Sequence, residues 1–249
     1  MDYVISVRTY DRPYTFHEKT LKMLRKRGLT SRLFVFVGSD IGPYRDLNPD
    51  IVYIQCPKGI HKAIEAMCSH FPYGQPIMFM DDDLTDFQEL DASGNFCDGD
   101  LNAAILEGFA SGEIFKFSHH ANRFWMKGLK HKAPRYGCVT GDCFGAWNKP
   151  ELLNTPVGHG EEIWRTCQYF DAGITPVIFN HRVMINKGWG VTDGGMKSSG
   201  DRDDTKAICD VIYEHHKKWL LPPKYVEKVY MWNMSLLPAI KIKKMLLNR

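Results

Sequence analysis

The sequence contains no long apolar run, no paired cysteine motif and no strong charge of either sign. Each absence narrows what the chain can be. Crossing a bilayer takes about 20 consecutive apolar residues, so a membrane span is not expected. The first residues, Met1-Asp2-Tyr3-Val4-Ile5-Ser6-Val7, enter a strand-like pattern at once, without a charged leader or a cleavage site. That argues against a signal peptide. The 7 cysteines are scattered, with no CxxC pair and no Cys/His cluster of zinc spacing. Reduced structural thiols in a cytoplasm are therefore expected. A net charge of +3 is too small to demand an anionic partner. No internal repeat, low-complexity segment or clear linker divides the chain.

What is present suits a globular protein: 249 residues, 44% hydrophobic and 24% charged, enough for one large α/β domain or two small ones. The first 85 residues alternate strand and helix. Val4-Ile5-Ser6-Val7, Leu33 to Val37, Ile51 to Ile54 and Pro76 to Met80 read as buried strands. Tyr14 to Arg27 and Ile60 to Phe71 read as helices between them, with Leu21 and Leu24, or Ala63, Ile64 and Met67, at helical spacing. Such alternation predicts a mostly parallel sheet with helices on both faces. Later elements are expected at Leu101 to Ala110 (helix), Ile114 to Phe117 (strand) and Cys138 to Trp147 (strand or hairpin, with Gly141 and Gly145 as bends). A helix opening at Gly160-Glu161-Glu162 and two short strands, Pro176 to Phe179 and Arg182 to Ile185, follow. Helical stretches at about 203–220 and 224–244 close the chain, so residues 1–202 are expected as the main domain and 203–249 as a helical extension packed on it.

Open parallel sheets bind ligands at the carboxyl ends of their strands. Those ends carry Arg8-Thr9, Ser39-Asp40, Lys58-Gly59 and, after the fourth strand, Asp81-Asp82-Asp83. A polar turn accounts for one aspartate; three repel one another and suit a hard cation such as Mg²⁺ or Mn²⁺. Glu161 and Glu162 either complement the positive end of a helix dipole or supply a general base. Residues 123–136 interleave Arg123, Lys127, Lys130, His131, Lys132 and Arg135 with Phe124, Trp125 and Tyr136, the composition either of a nucleic-acid-facing loop or of a solvated one. Lys241, Lys243, Lys244 and Arg249 form a basic tail suited to phosphate backbones or to solubility.

The run Ile77-Met78-Phe79-Met80-Asp81-Asp82-Asp83, followed by Gly160-Glu161-Glu162-Ile163 and Asp171-Ala172-Gly173-Ile174, resembles the GT-A glycosyltransferases over residues 3–190. The resemblance implies a Rossmann-like GT-A fold and a nucleoside-diphosphate sugar donor, with UDP the first choice of nucleotide. It implies Mn²⁺ or Mg²⁺ held by Asp83, with Asp81 approaching the ribose or donor sugar or joining the metal, and Asp82 able to exchange roles with either. Arg8, Thr9 and Asp40 would contact the nucleotide, with Lys58 and Gly59 beside them, and Lys197 and Arg202 would close over the phosphates. Glu162, or alternatively Glu161, matches the catalytic base. His181 is the candidate for a late metal-binding histidine, although it falls several residues early, Asn186 and Lys187 occupying the expected region.

The chain is further similar to the phage-type, TET/JBP-associated glycosyltransferases. That likeness implies 5-hydroxymethylpyrimidine in duplex DNA as acceptor, bound through residues 123–136 and the basic tail, and a host cytoplasm as location. A glycan or lipid-linked sugar is the competing acceptor. A metal-dependent phosphodiesterase or nuclease, drawing on His119 and His120, is the competing reaction class. A non-catalytic nucleic-acid-binding protein would leave the acidic strand end unexplained.

Overall fold

A computed structural model describes residues 1–118, 132–134, 138–186, 205–220 and 222. Among the described residues ten strands form one sheet: β1 (Val4–Thr9), β2 (Leu33–Val37), β3 (Val52–Gln55), β4 (Pro76–Asp81), β5 (Leu84–Leu90), β6 (Phe96–Asp98), β7 (Ile114–Ser118), β8 (Lys132–Pro134), β9 (Cys143–Trp147) and β10 (Val177–Asn186). Their order is β3-β2-β1-β4-β9-β7-β10-β5-β6, with β8 paired to β10. The first four are mutually parallel, as their near-continuous apolar runs predict. β9 then runs antiparallel between β4 and β7, and β10 is parallel to β7 but antiparallel to β5.

Strand alternation sends side chains to two cores. On one face Ile5, Val7, Met78, Met80, Phe115 and Phe117 meet the helical residues 13–26, through Phe16, Leu21 and Leu24, and the helix Leu101–Ser111. On the other, Ile77, Phe79, Ile114, Phe144 and Ala146 meet the helix Ile60–His70 and Tyr169 of the helix Glu161–Asp171. The helix Thr205–His216 adds Ile212 to a smaller cluster with Ile163, Trp164 and Cys167. All seven cysteines are free thiols. Among the described residues no helix is long and apolar enough to cross a membrane.

Three local expectations need correction. Gly145 is not a bend: it lies inside β9, paired with Phe115, and a Cβ there would overlap the Phe115 ring. The two short strands expected around residue 180 are one strand, Val177–Asn186, whose register shifts between Phe179 and Val183. The polar Asn180-His181 at that irregularity imitates a turn in the sequence. The hairpin of β5 and β6, absent from the expectations, closes on Gly94 at φ 74°, with Asp91 Oδ1 accepting from the Asn95 amide. The boundary expected at residue 202 and the last helix, 224–244, lie outside the described residues.

Candidate active site

Because β1 to β4 are parallel, their polar ends share one sheet edge. Register pairs Arg8 with Asp81, and the two side chains meet directly: Arg8 Nε donates to Asp81 Oδ1 at 2.8 Å. Arg8 Nη2 donates to the Gly141 carbonyl at 2.6 Å, and Nη1 lies 4.0 Å from Glu161 Oε1. One guanidinium thus bridges the aspartate strand end and the acidic helix start. Gly141 permits this closeness, since a Cβ there would sit 2.9 Å from Glu161 Oε1 and 3.1 Å from Arg8 Nη2.

The next two aspartates face a second guanidinium. Asp82, 3% exposed, accepts from Thr9 Oγ1 at 2.6 Å and lies 3.0 Å from Arg12 Nη1. Asp83 accepts from Arg12 Nη2 at 3.2 Å and from Asn186 Nδ2 at 2.8 Å. Tyr44 hydroxyl ties this corner together, within 2.9 Å of Thr9 Oγ1 and accepting from the Arg12 amide. Thr20 Oγ1 donates to the Asp81 carbonyl and accepts from the Leu84 amide, which pins the turn.

Burial dominates the acid strengths. Asp81 is pushed up to about 8 by burial, which outweighs the Arg8 charge, with Asp83, Asp142 and Asp82 adding repulsion. Asp82 rises to about 6, again by burial, against Arg12 and the Thr9 hydrogen bond. A cation entering beside Asp81 would reverse the first shift.

Gly160, in the left-handed region at φ 75°, opens the helix that carries the acidic pair. Burial works against the charged form of Glu161, but Arg165, a hydrogen bond with Glu162 and Arg8 outweigh it and hold its carboxyl below the usual range. Glu162 is driven well above that range by burial and then by the charge of Glu161. The two carboxyls titrate as a coupled pair, Glu162 raised and Glu161 lowered. Arg165 is fully buried, 3.5 Å from Glu161 Oε1 and stacked over Phe144 at 4.4 Å.

The remaining expected residues are more dispersed. Asp40 is exposed and accepts from the Gly42 amide at 3.0 Å. The Lys58 amine lies 5.0 Å from the Tyr10 ring centroid, and Gly59, at φ 112°, starts the helix Ile60–His70. His181 sits five residues before Asn186 on β10, on the order of 15 Å away along a strand. It is Asn186 that meets Asp83. Lys197, Arg202, Lys187, His119, His120, the basic tail and the side chains of 123–136 lie outside the described residues. Arg12, Lys116, Asp142 and Arg165 were missed by sequence reading. Lys116 alone carried a signal, as a charge inside an apolar strand.

A divalent cation fits this corner in one manner. The Asp81 side chain is 30% exposed, and Arg8 engages its Oδ1, leaving Oδ2 for a ligand. Asp83 stands beside it. Among the described residues no trio of His, Cys, Asp or Glu could hold a metal ion unaided. The residues therefore fit a cation completed by diphosphate oxygens and water, as Mg²⁺-like ions prefer, and do not fit a closed protein cage.

No protein-family model and no curated protein matches the sequence. Solved structures match the fold. A mycobacterial protein matches at TM-score 0.54 and 15% identity, over 94% of this chain and 83% of its own. GalNAc-T7, solved with UDP, GalNAc and Mn²⁺, matches at TM-score 0.55 and 9% identity, over 86% of this chain and 49% of its own. S. aureus TarS in complex with UDP-GlcNAc matches at TM-score 0.52 and 14% identity, over 86% of this chain and 67% of its own. The chain thus spans about half of GalNAc-T7 and two thirds of the TarS fragment. At these identities the likeness is one of fold: the α/β GT-A architecture expected from the sequence is the architecture found.

Proposed function

We propose that the chain is a metal-dependent glycosyltransferase that moves a sugar from a nucleoside-diphosphate sugar to a hydroxyl acceptor. The observation that carries this reading is the Arg8 bridge. It brings the Asp81-Asp82-Asp83 corner and the Glu161-Glu162 pair, 80 residues apart in sequence, to one sheet edge. The likeness of fold to structures solved with UDP, UDP-GlcNAc and Mn²⁺ supports the choice of donor and metal.

In this reading Asp81 and Asp83 hold Mn²⁺ or Mg²⁺, which when bound neutralises charge on the departing diphosphate. Arg12 and Asn186 orient Asp83, while Thr9 and Arg12 orient Asp82. Arg8, Thr9, Asp40, Lys58 and Gly59 border the nucleotide along the strand ends, and Lys197 and Arg202 would cover the phosphates. Glu162 takes the proton from the acceptor hydroxyl. Its raised proton affinity suits a general base that must hold a proton after transfer. Glu161, kept charged by Arg165 and Arg8, sets that affinity.

The acceptor reading rests on sequence alone. The basic and aromatic residues of 123–136 favour a nucleic acid over a glycan, and the resemblance to the phage-type, TET/JBP-associated glycosyltransferases makes the acceptor 5-hydroxymethylpyrimidine in duplex DNA. Salt-sensitive DNA binding supports that choice, and no binding at low salt points to a glycan.

The deciding experiment is a thermal-shift panel of UDP- and GDP-sugars with and without Mn²⁺. Ligand binding to the native state raises stability with ligand concentration over affinity. Stabilisation that needs both donor and cation is expected. No response to any nucleotide, or cleavage of DNA without a sugar donor, overturns the reading.

A further inference from the structure

β1, β4, β9 and β7 are neighbours in the sheet, and one face of the edge formed by the carboxyl ends of β1, β4 and β7 and the start of antiparallel β9 carries a row of charge. Arg8 pairs with Asp81. Continuing the β4–β9 register by one residue from Met80 and Cys143 sets Asp142 opposite Asp81, and the Asp81 amide donates to the Asp142 carbonyl at 2.9 Å. Lys116 stands opposite Phe144, diagonal to Asp142 and on the face away from Phe115 and Phe117. Above that face lies the start of the helix Glu161–Asp171, since Arg165 stacks over Phe144.

Two members of the row are poorly satisfied. Asp142 Oδ1 is buried and has no hydrogen-bond partner among the described residues. Lys116 is 6% exposed, and its amine reaches the Thr140 hydroxyl at 3.5 Å, long for a hydrogen bond. Burial pulls the Lys116 amine down, against the charges of Cys138, Asp142 and Glu162. A methionine in that strand position would pack without this cost. A buried acceptor and a buried donor left wanting at diagonal positions of paired strands mark a place for a ligand that has both.

We propose that Asp142 and Lys116 form the subsite for the ring hydroxyls of the transferred sugar, an inference that rests on the nucleotide-sugar reading above. Asp142 accepts from one or two ring hydroxyls, and Lys116 donates to a neighbouring one. Diagonal positions on paired strands stand about 7–8 Å apart, a separation that a hexose ring with its hydroxyls spans. The pair has no net charge, so it selects a neutral polyol over a further anion. The subsite lies beside Asp81 and under Glu162, between the diphosphate corner and the base, where the transferred group must sit.

Calorimetry in Mn²⁺ tests this with UDP, UDP-glucose, UDP-galactose, UDP-GlcNAc, GDP and GDP-mannose. The proteins are the unsubstituted chain, Asp142→Asn and Lys116→Met. Expected is unchanged affinity for the free diphosphate, within about twofold. The affinity of the preferred sugar nucleotide relative to it should fall about tenfold or more in each variant, and discrimination between glucose and galactose should collapse. An unchanged ratio in both variants overturns the subsite and leaves the glycosyltransferase reading standing. No nucleotide binding by the unsubstituted chain overturns both. Should Asp142→Asn fail to fold, Lys116→Met decides, because an apolar side chain of similar length fills the same strand position.

Discussion

Arg8 Nε donates to Asp81 Oδ1 across 2.8 Å, and the two residues are register partners on adjacent parallel strands. A pairing set by the sheet itself costs little to hold, because neither backbone can slide without breaking the ladder. The same guanidinium reaches Gly141 and Glu161, so the metal corner and the base are tied to one rigid edge.

Asp83→Ala should abolish transfer while leaving the fold. It removes an acceptor from Arg12 and Asn186 and one proposed cation ligand. A loss of several kcal/mol in transition-state stabilisation corresponds to about a thousandfold in kcat. Full activity of the variant in a chelated buffer would exclude the metal role.

Glu162 must be unprotonated to act as a base, and its proton affinity is raised by burial and by Glu161. Activity should therefore fall as pH drops through a value above the ordinary carboxylate range. Glu161→Gln removes the repelling charge, so the acidic limb of kcat/KM should move to lower pH. The melting temperature should fall as well, since buried Arg165 loses its charge partner. A limb that stays in place refutes the coupling.

His216 is buried beside Trp164, and burial, then the neighbouring His215, lowers its affinity for protons to about 4 from an ordinary 6.5, against Asp171. The folded value is depressed, so between pH 6.5 and 4 the unfolded chain binds the extra proton and the native chain does not. Its contribution is fully present above pH 6.5 and is lost as pH falls toward 4, by up to roughly 3 kcal/mol. Denaturant midpoints across that window should decline toward acid for the unsubstituted chain by more than for His216→Leu, and equal slopes would refute the assignment.

Gly145→Ala should destabilise without touching the chemistry. Its Cβ meets the Phe115 ring inside β9, and overpacking of this kind costs typically 1–3 kcal/mol. A melting temperature lower by several degrees with unchanged KM is expected; a neutral variant would mean that the Phe115 cluster can repack.

The apolar strands and the helix starting at Glu161 were legible because periodicity and chain punctuation act locally. Gly145 was misread because a glycine that admits a neighbouring ring and a glycine that turns the chain look alike in sequence. β10 was split in two because Asn180-His181 interrupts its apolar pattern, and only pairing with β7 and β5 carries the strand through. His181 and Asn186 were ranked by residue type, whereas reach along β10 decides which one touches Asp83.

By itself, the sequence determined the α/β class, the parallel first half of the sheet and the strand end on which the three aspartates stand. Those follow from hydrophobic period and from where apolar runs stop. Tertiary structure alone decided that β9 inserts between β4 and β7, which sets Asp142 beside Asp81 and Lys116 diagonal to it. It alone decided that Arg8 links residues 81 and 161. Strand order is chosen by global packing of two cores, and contacts between distant residues leave no periodic trace in the chain.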